Sequence, residues 1–165
     1  MKNDVARDIS YATSANGLMG ELFIRSIENI TGRIGLIKRA KDYDKEVTKG
    51  RNFWEVIVER YNIEMNIVEG SLEDIPKKGP VVIVSNHPFG ILDGLLLGYI
   101  LSKTRKDFKI IANRVFRKAK DLDDVILPIS FEENREGNIQ NINTRNEAIR
   151  FLKSGGIVGI FPGGT

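Results

Sequence analysis

Four short apolar runs are the feature that most restricts how this chain of 165 residues can fold. Helical or turn-forming segments separate the runs, which are rich in β-branched side chains. Such runs are typical of strands in a sheet that is covered on both faces, because half-exposed strands alternate apolar and polar residues. The pattern therefore predicts an α/β fold with helices on both faces of the sheet. The predicted strands are Val81–Ser85, Phe108–Ala112, Ile126–Ser130 and Ile157–Phe161.

The segment before Tyr61 is different in character. Apolar residues at three- and four-residue steps predict a helix that starts near Asn16 and ends at Gly32, and a second helix that runs towards Gly50. We therefore predict an N-terminal helical segment over residues 1–62 and the N-terminal part of an α/β domain over 63–165. The remaining predicted elements are a strand at Asn66–Glu69 and helices at Asn52–Tyr61, Leu92–Ser102, Val115–Lys120 and Thr144–Lys153.

Composition excludes several classes of site. The chain has no cysteine, so disulfides, thiolate zinc sites and cysteine nucleophiles are impossible. It has one histidine, His87, so imidazole chemistry is possible only there and a His-rich metal cage is excluded. The formal net charge is only +3, which does not by itself indicate a nucleic-acid partner. We expect no metal and no cofactor.

No segment resembles a signal peptide or a membrane span. The longest apolar stretch, Ile91–Leu101, contains Asp93 and falls short of the ~20 residues that a spanning helix needs. The N-terminal helices mix basic side chains with apolar ones. That mixture fits an amphipathic element on a membrane surface, and it fits an ordinary core-facing helix pair equally well.

The loop that follows the strand at Val81–Ser85 carries the strongest candidate for catalysis. His87 is predicted at the carboxyl edge of the sheet, where α/β folds bind their ligands. Gly90 permits a tight bend into a helix that bears Asp93. That carboxylate would hold one ring nitrogen of His87 while the other accepts a substrate proton. The alternatives are a histidine that is only a polar loop residue and an aspartate that caps the helix.

Two motifs in order give the chain a family resemblance. Asn86-His87-Pro88 is followed by Asp93, and the later strand leads into Phe161-Pro162-Gly163-Gly164-Thr165. Over roughly Phe53–Thr165 the sequence resembles the lysophospholipid/glycerolipid acyltransferase family, closest to its hemolysin-like and ornithine-lipid acyltransferase branch. The resemblance implies a mixed sheet flanked by helices. It also implies transfer of an acyl chain from acyl-CoA or acyl-carrier protein to a lysophospholipid-like or amine-lipid acceptor.

The resemblance makes His87 the general base and Asp93 the carboxylate that orients it. Five residues separate the two here, whereas four are usual in the family, and Gly90 can absorb the extra residue. Gly163 replaces the glutamate of the family's Phe-Pro-Glu-Gly-Thr motif. Glycerol 3-phosphate is therefore a doubtful acceptor, because the carboxylate that would bind its hydroxyl is missing.

Further residues are predicted to bind substrate. The last three residues allow two interpretations. One is a loop whose backbone N–H groups bind a phosphate or an oxyanion, and the other is a plain tight turn; the residues are Gly163, Gly164 and Thr165. Asn86, Phe161 and Pro162 belong to the matching motifs, and Arg114 lies about where the family's second motif supplies an arginine for the acceptor. Arg114 is part of a basic block that predicts either a solvated surface or a phosphate site. The block contains Lys103, Arg105, Lys106, Lys109, Arg114, Arg117, Lys118 and Lys120, and Arg135 and Arg145 are further candidates.

Together these features predict a peripheral enzyme at the cytoplasmic face of an anionic membrane, with no nucleic-acid partner. The alternative is a non-catalytic lipid- or membrane-binding module. Gly163 favours that alternative, as does a chain that stops in a turn just after a buried strand. We expect the sheet to be incomplete for the same reason.

Overall fold

The computed structural model describes residues 35, 38, 39, 42–118 and 120–162, with only the backbone described at 115 and 118. The chain divides into two compact units, Met1–Ile63 and Glu64–Thr165. The predicted helix from Asn16 and most of the second predicted helix lie outside the described residues.

In the first unit, helix α1 spans Tyr43–Thr48 and helix α2 spans Phe53–Arg60. The helix predicted at Asn52–Tyr61 is therefore confirmed. It begins there because the Asn52 side chain accepts hydrogen bonds from the backbone N–H groups of Trp54 and Glu55. The apolar residues that predicted the helix are buried, and the buried set is Phe53, Trp54, Val56, Ile57 and Val58.

The second unit contains a four-stranded sheet. Its strands are β1 (Val81–Val84), β2 (Phe108–Asn113), β3 (Ile126–Ile129) and β4 (Ile157–Ile160), so all four apolar runs form strands as predicted. Their order is β1-β4-β2-β3, and every pair is parallel. The resemblance implied a mixed sheet, and for the described strands this is wrong. Each connection between them carries a helix that returns the chain to the amino edge, which produces parallel pairing.

Helices lie on both faces of this sheet. Helix α3 (Ile91–Thr104) packs so closely on β4 that a Cβ on Gly159 would lie 2.8 Å from the Leu97 side chain. On the other face, helix α5 (Arg135–Lys153) contributes Ala148 to a core with Leu127 and Val158. Two-sided coverage is thus confirmed for the inner strands.

Strand β1 differs from the inner strands. Val82 pairs with Val158 in register, so both side chains point to the α5 face, yet Val82 and Val84 are 52% and 63% exposed. The prediction of coverage on both faces is therefore wrong at this edge of the described sheet.

Several boundaries also differ from the sequence prediction. Residues 66–69 form no strand, and Ile67 and Val68 are exposed, because β propensity has little effect without a neighbouring strand. Helix α5 starts nine residues before the predicted Thr144, since the Asn134 side chain caps it by accepting from the Gly137 N–H at 2.7 Å. The helix predicted at Val115–Lys120 is instead a 3₁₀ turn, Arg114–Lys118, followed by helix α4, Lys120–Asp123.

No helix within the described ranges is long and apolar enough to cross a bilayer.

Candidate active site

The two motifs meet because β1 and β4 are neighbours. The Ser85 N–H, just after β1, donates to the Ile160 carbonyl at 3.1 Å. The loop that contains His87 therefore leaves the sheet beside Phe161, the residue that follows β4. The carboxyl-edge position predicted for His87 is confirmed.

His87 stacks on Phe161. The ring centroids are 4.3 Å apart and the ring planes differ by 30°. The His87 side chain is 28% exposed, whereas its Nδ1 atom is buried. The exposed part of the ring is thus away from Nδ1, which leaves Nε2 as the nitrogen available to an incoming molecule.

Asp93 lies on the Nδ1 side of the ring. Its Oδ2 atom is 3.4 Å from His87 Nδ1, but Nδ1 has no aligned hydrogen-bond partner among the described residues. The same Oδ2 accepts a hydrogen bond from the Phe89 N–H at 2.8 Å. The structure therefore brings the two predicted residues together at ion-pair distance, without a formed hydrogen bond between them.

The loop geometry also shows whether Asp93 caps the N-terminus of helix α3. Gly90 is the N-cap residue, so the alternative that Asp93 is the N-cap is wrong. Asp93 lies in the first turn of α3, and its carboxylate instead accepts a hydrogen bond from the Phe89 N–H in the preceding loop. Gly90 has φ 60° and ψ −117°, a conformation that only glycine adopts without strain, and this bend accommodates the longer spacing between His87 and Asp93.

Apolar residues on both sides of His87 in the chain are exposed. They are Val84, Phe89, Ile91 and Leu92, and Phe89 is 74% exposed. Asn86 is exposed as well, and its carbonyl accepts from the Ser85 hydroxyl at 2.9 Å. The loop that carries His87 therefore presents apolar side chains to solvent.

Arg114 lies in the turn after β2, at the same sheet edge but with β4 between β2 and β1. Its guanidinium pairs with Glu132 at 2.5 Å, and both side chains are at least half exposed. It also lines a groove of about 980 Å³ whose other walls come from β3, α4 and α5. The structure places this predicted residue beside a separate groove, since no residue of the loop 85–90 lines that groove.

The basic block does not form one site. The Lys109 Nζ donates to the Asp124 carbonyl at 2.8 Å, and Arg117 pairs with Asp123 at 2.6 Å. Arg105 lies before β2, at the opposite edge of the sheet from His87. The block as a whole therefore does not converge on one place, and phosphate binding by Arg114 stays a prediction. Arg135 and Arg145 are exposed on α5.

Phe161 is half-buried and Pro162 is exposed, whereas Gly163, Gly164 and Thr165 lie outside the described residues. The contact between Phe161 and His87 was not predicted. No sequence signal could have indicated it, because it depends on β1 and β4 being neighbours although they are far apart in the chain.

Comparison with known proteins agrees with the motifs. The acyltransferase family model matches residues 66–165. The chain belongs to the lysophospholipid/glycerolipid acyltransferase family. This confirms the family resemblance, while the branch within the family stays a prediction.

Two curated proteins are similar to part of this chain. Both are named lyso-glycine lipid O-acyltransferase. The protein from Phocaeicola vulgatus is 32% identical over 88 residues, which is 53% of this chain and 31% of the relative. The protein from Bacteroides thetaiotaomicron is 30% identical over 82 residues, which is 49% of this chain and 29% of the relative. The chain thus spans about a third of the length of these relatives. No solved structure matches it significantly.

Proposed function

We propose that this protein transfers a fatty acyl chain from a thioester donor to a hydroxyl group of a lysolipid, with His87 as the general base. The observation that carries the proposal is the position of His87 Nδ1, 3.4 Å from Asp93 at the edge where both family motifs end. A carboxylate on the Nδ1 side favours the tautomer with the proton on Nδ1, because it accepts that N–H. Nε2 is then free to accept a proton.

The proposed reaction is an addition followed by an elimination. The acceptor hydroxyl gives its proton to His87 Nε2 as its oxygen bonds to the thioester carbonyl carbon. The carbon–sulfur bond then breaks, and the leaving thiolate takes the proton from the imidazolium. Asp93 stabilises the imidazolium formed between the two steps and remains ionised. No electron transfer is involved, so the reaction needs only the donor and the acceptor.

The chemistry of the acceptor follows from two observations. Gly163 supplies no carboxylate for a glycerol 3-phosphate hydroxyl, and the two curated relatives are named for O-acylation of a lyso-glycine lipid. We propose an acceptor of that class, a lysolipid with a free hydroxyl and an amino-acid headgroup. Arg114 is our candidate for the anionic headgroup, because its exposed ion pair with Glu132 costs little to exchange.

Contact with a membrane surface is part of the proposal. Phe89, Ile91 and Leu92 follow His87 closely in the chain and are exposed, and such side chains would meet the acyl chains of a lipid layer. We propose peripheral attachment at the cytoplasmic face, with the acyl donor, either acyl-CoA or acyl-carrier protein, arriving from the aqueous side.

The test is acyl transfer by the chain and by its His87→Ala variant. Each is incubated with a long-chain acyl thioester of CoA or of carrier protein, and with a lyso-glycine lipid or a lysophospholipid. Mass spectrometry of the ester product and thiol release are the measurements. We expect His87→Ala to lower kcat on the order of 10²–10⁴-fold with little change in KM, the range for loss of a general base. Asn138→Ala, an exposed change on α5, is the control and should retain full activity.

Two results would count against the proposal. Undiminished transfer by His87→Ala would remove His87 as the base. Sedimentation of the wild-type chain with liposomes, but no ester product with any donor and acceptor pair, would favour the non-catalytic lipid-binding module instead.

A further inference from the structure

We propose that Phe161 is a positioning residue for His87, a role separate from binding substrate. Its ring holds the plane of the imidazole, and within that plane the Asp93 carboxylate favours the orientation in which Nδ1 faces it and Nε2 faces the acceptor. The catalytic part of this inference rests on the proposed function, whereas the orienting contact between the two rings does not.

The first argument is that no hydrogen bond within the described part of the chain fixes the imidazole. Nδ1 is buried but has no aligned partner among the described residues, although Asp93 is 3.4 Å away. Rotation of a histidine ring about its second side-chain torsion is only weakly restricted by intrinsic preferences. The stack on Phe161, with centroids 4.3 Å apart and planes 30° from parallel, is then the contact that restricts this rotation.

The second argument is that Phe161 has a fixed backbone. It follows β4 directly, and the preceding carbonyl, that of Ile160, accepts the Ser85 N–H at 3.1 Å. This hydrogen bond ties the two chain segments together one residue before Phe161 and two residues before His87. Because the sheet fixes the backbone of Phe161, its ring provides a rigid surface on which the imidazole can stack.

The third argument concerns the motion that the stack permits. Small displacements of the imidazole within the stack change the Nδ1–Asp93 distance of 3.4 Å while the two rings stay in contact. A turn of about 90° around the second side-chain torsion would break the stack, whereas a 180° flip would keep it and exchange the two edges of the imidazole. The stack therefore restricts the plane of the imidazole, and the Asp93 carboxylate on the Nδ1 side favours the flip in which Nε2 is left for the acceptor. Catalytic hydrogen bonds often tighten in this way only when substrate is bound.

The first test uses the fact that His87 is the only histidine of the chain, so that imidazole NMR signals are unambiguous. In the wild-type protein we expect nuclear Overhauser effects between the His87 and Phe161 rings and an upfield ring-current shift of the His87 carbon-bound protons. Phe161→Leu should abolish this shift, and Phe161→Tyr should retain it. Phe131→Leu, which removes an exposed aromatic side chain after β3, is the matched control and should leave the His87 signals unchanged.

The second test measures steady-state acyl transfer. Phe161→Leu should lower kcat by about 10- to 100-fold with KM nearly unchanged, the size of effect expected when a reacting group is misplaced by about 1 Å. Phe161→Tyr should restore most of the activity, since it keeps the stacking ring. Phe161→Met keeps side-chain volume without a ring and should resemble Phe161→Leu.

The outcomes separate this inference from the proposed function. Absence of the inter-ring effects in the wild-type protein would overturn the orienting contact, and that measurement needs no variant that might fail to fold. A rise in KM at unchanged kcat would make Phe161 a substrate-binding residue instead. If the His87 signals respond as expected but His87→Ala remains fully active, the contact stands and the catalytic base is another group.

Discussion

The two edges of the sheet are built in opposite ways. At the amino edge, the Arg105 side chain is only 7% exposed and pairs with Asp107. It also donates to the carbonyls of Gly79 at 2.9 Å and Gly155 at 2.5 Å. At the carboxyl edge, His87 Nδ1 is buried 3.4 Å from Asp93 without an aligned hydrogen bond among the described residues, and apolar residues close to His87 in the chain are exposed.

The difference separates structural residues from candidate functional ones. The guanidinium of Arg105 is hydrogen-bonded to the segments that lead into three strands. These segments contain Gly79 before β1, Asp107 before β2 and Gly155 before β4. Such a satisfied polar network makes its surroundings rigid. A buried polar atom without a partner is rare in folded proteins and calls for a physical reason, and at His87 we propose that the bond to Asp93 is completed when substrate is present.

The largest expected effect comes from changing the carboxylate at the carboxyl edge. Asp93→Asn keeps an oxygen that can accept the Phe89 N–H but loses the charge that stabilises imidazolium at His87. We expect kcat to fall on the order of 10²–10⁴-fold, with a small change in melting temperature. Steady-state kinetics and thermal denaturation are the measurements.

Asp107→Asn is the matched control for Asp93→Asn, the same change at the amino edge. It should leave kcat unchanged and lower the melting temperature slightly. Equal kinetic effects of the two variants would contradict the proposed division between the edges.

A smaller effect, on stability, is expected from Arg105→Met. Methionine keeps most of the side-chain length but donates no hydrogen bonds, so the Gly79 and Gly155 carbonyls and the Asp107 carboxylate lose their donor. We expect the melting temperature to fall by about 5 °C or more, with kcat unchanged well below the transition.

Arg117→Met is the control. It removes an exposed guanidinium that pairs with Asp123, and it should shift the melting temperature by less than about 2 °C. A larger shift from Arg117→Met than from Arg105→Met would contradict the structural role of Arg105.

The smallest effect is a pH dependence at the amino edge. The hydrogen bond from Arg105 holds the pKa of Asp107 below its ordinary value of 3.8. A lowered pKa in the folded state means that the ion pair stabilises the fold above pH 3.8 and that this stabilisation is lost as the pH falls through the lowered pKa. Asp107 is half exposed, so the difference in melting temperature between wild type and Asp107→Asn should be only about 1–2 °C at pH 7. Melting curves from pH 7 to about pH 3 should show that difference shrink below pH 3.8, and a difference that grows on acidification would contradict the assignment.

Local patterns were enough to predict much of this structure. The four apolar runs are strands, Asn52 starts α2, and His87 lies at the carboxyl edge with Asp93 on the following helix. Each of these features depends on residues close together in the chain. The early start of α5 was missed because its N-terminal half is polar and Asn134 is the only strong local signal for its first turn.

What the sequence by itself determined is the four strands formed by the apolar runs, the α/β class, the family and the two residues proposed for catalysis. Only the tertiary structure decided that β4 lies between β1 and β2, because strand order depends on contacts between residues distant in sequence. That order puts the ring of Phe161 against His87 and separates Arg114 from it by a strand. In the sequence, Arg105 is one of eight cations in a basic block. In the structure its guanidinium donates to the Gly79 and Gly155 carbonyls at the opposite edge of the sheet. A guanidinium can bridge several carbonyls only after the fold has brought them together.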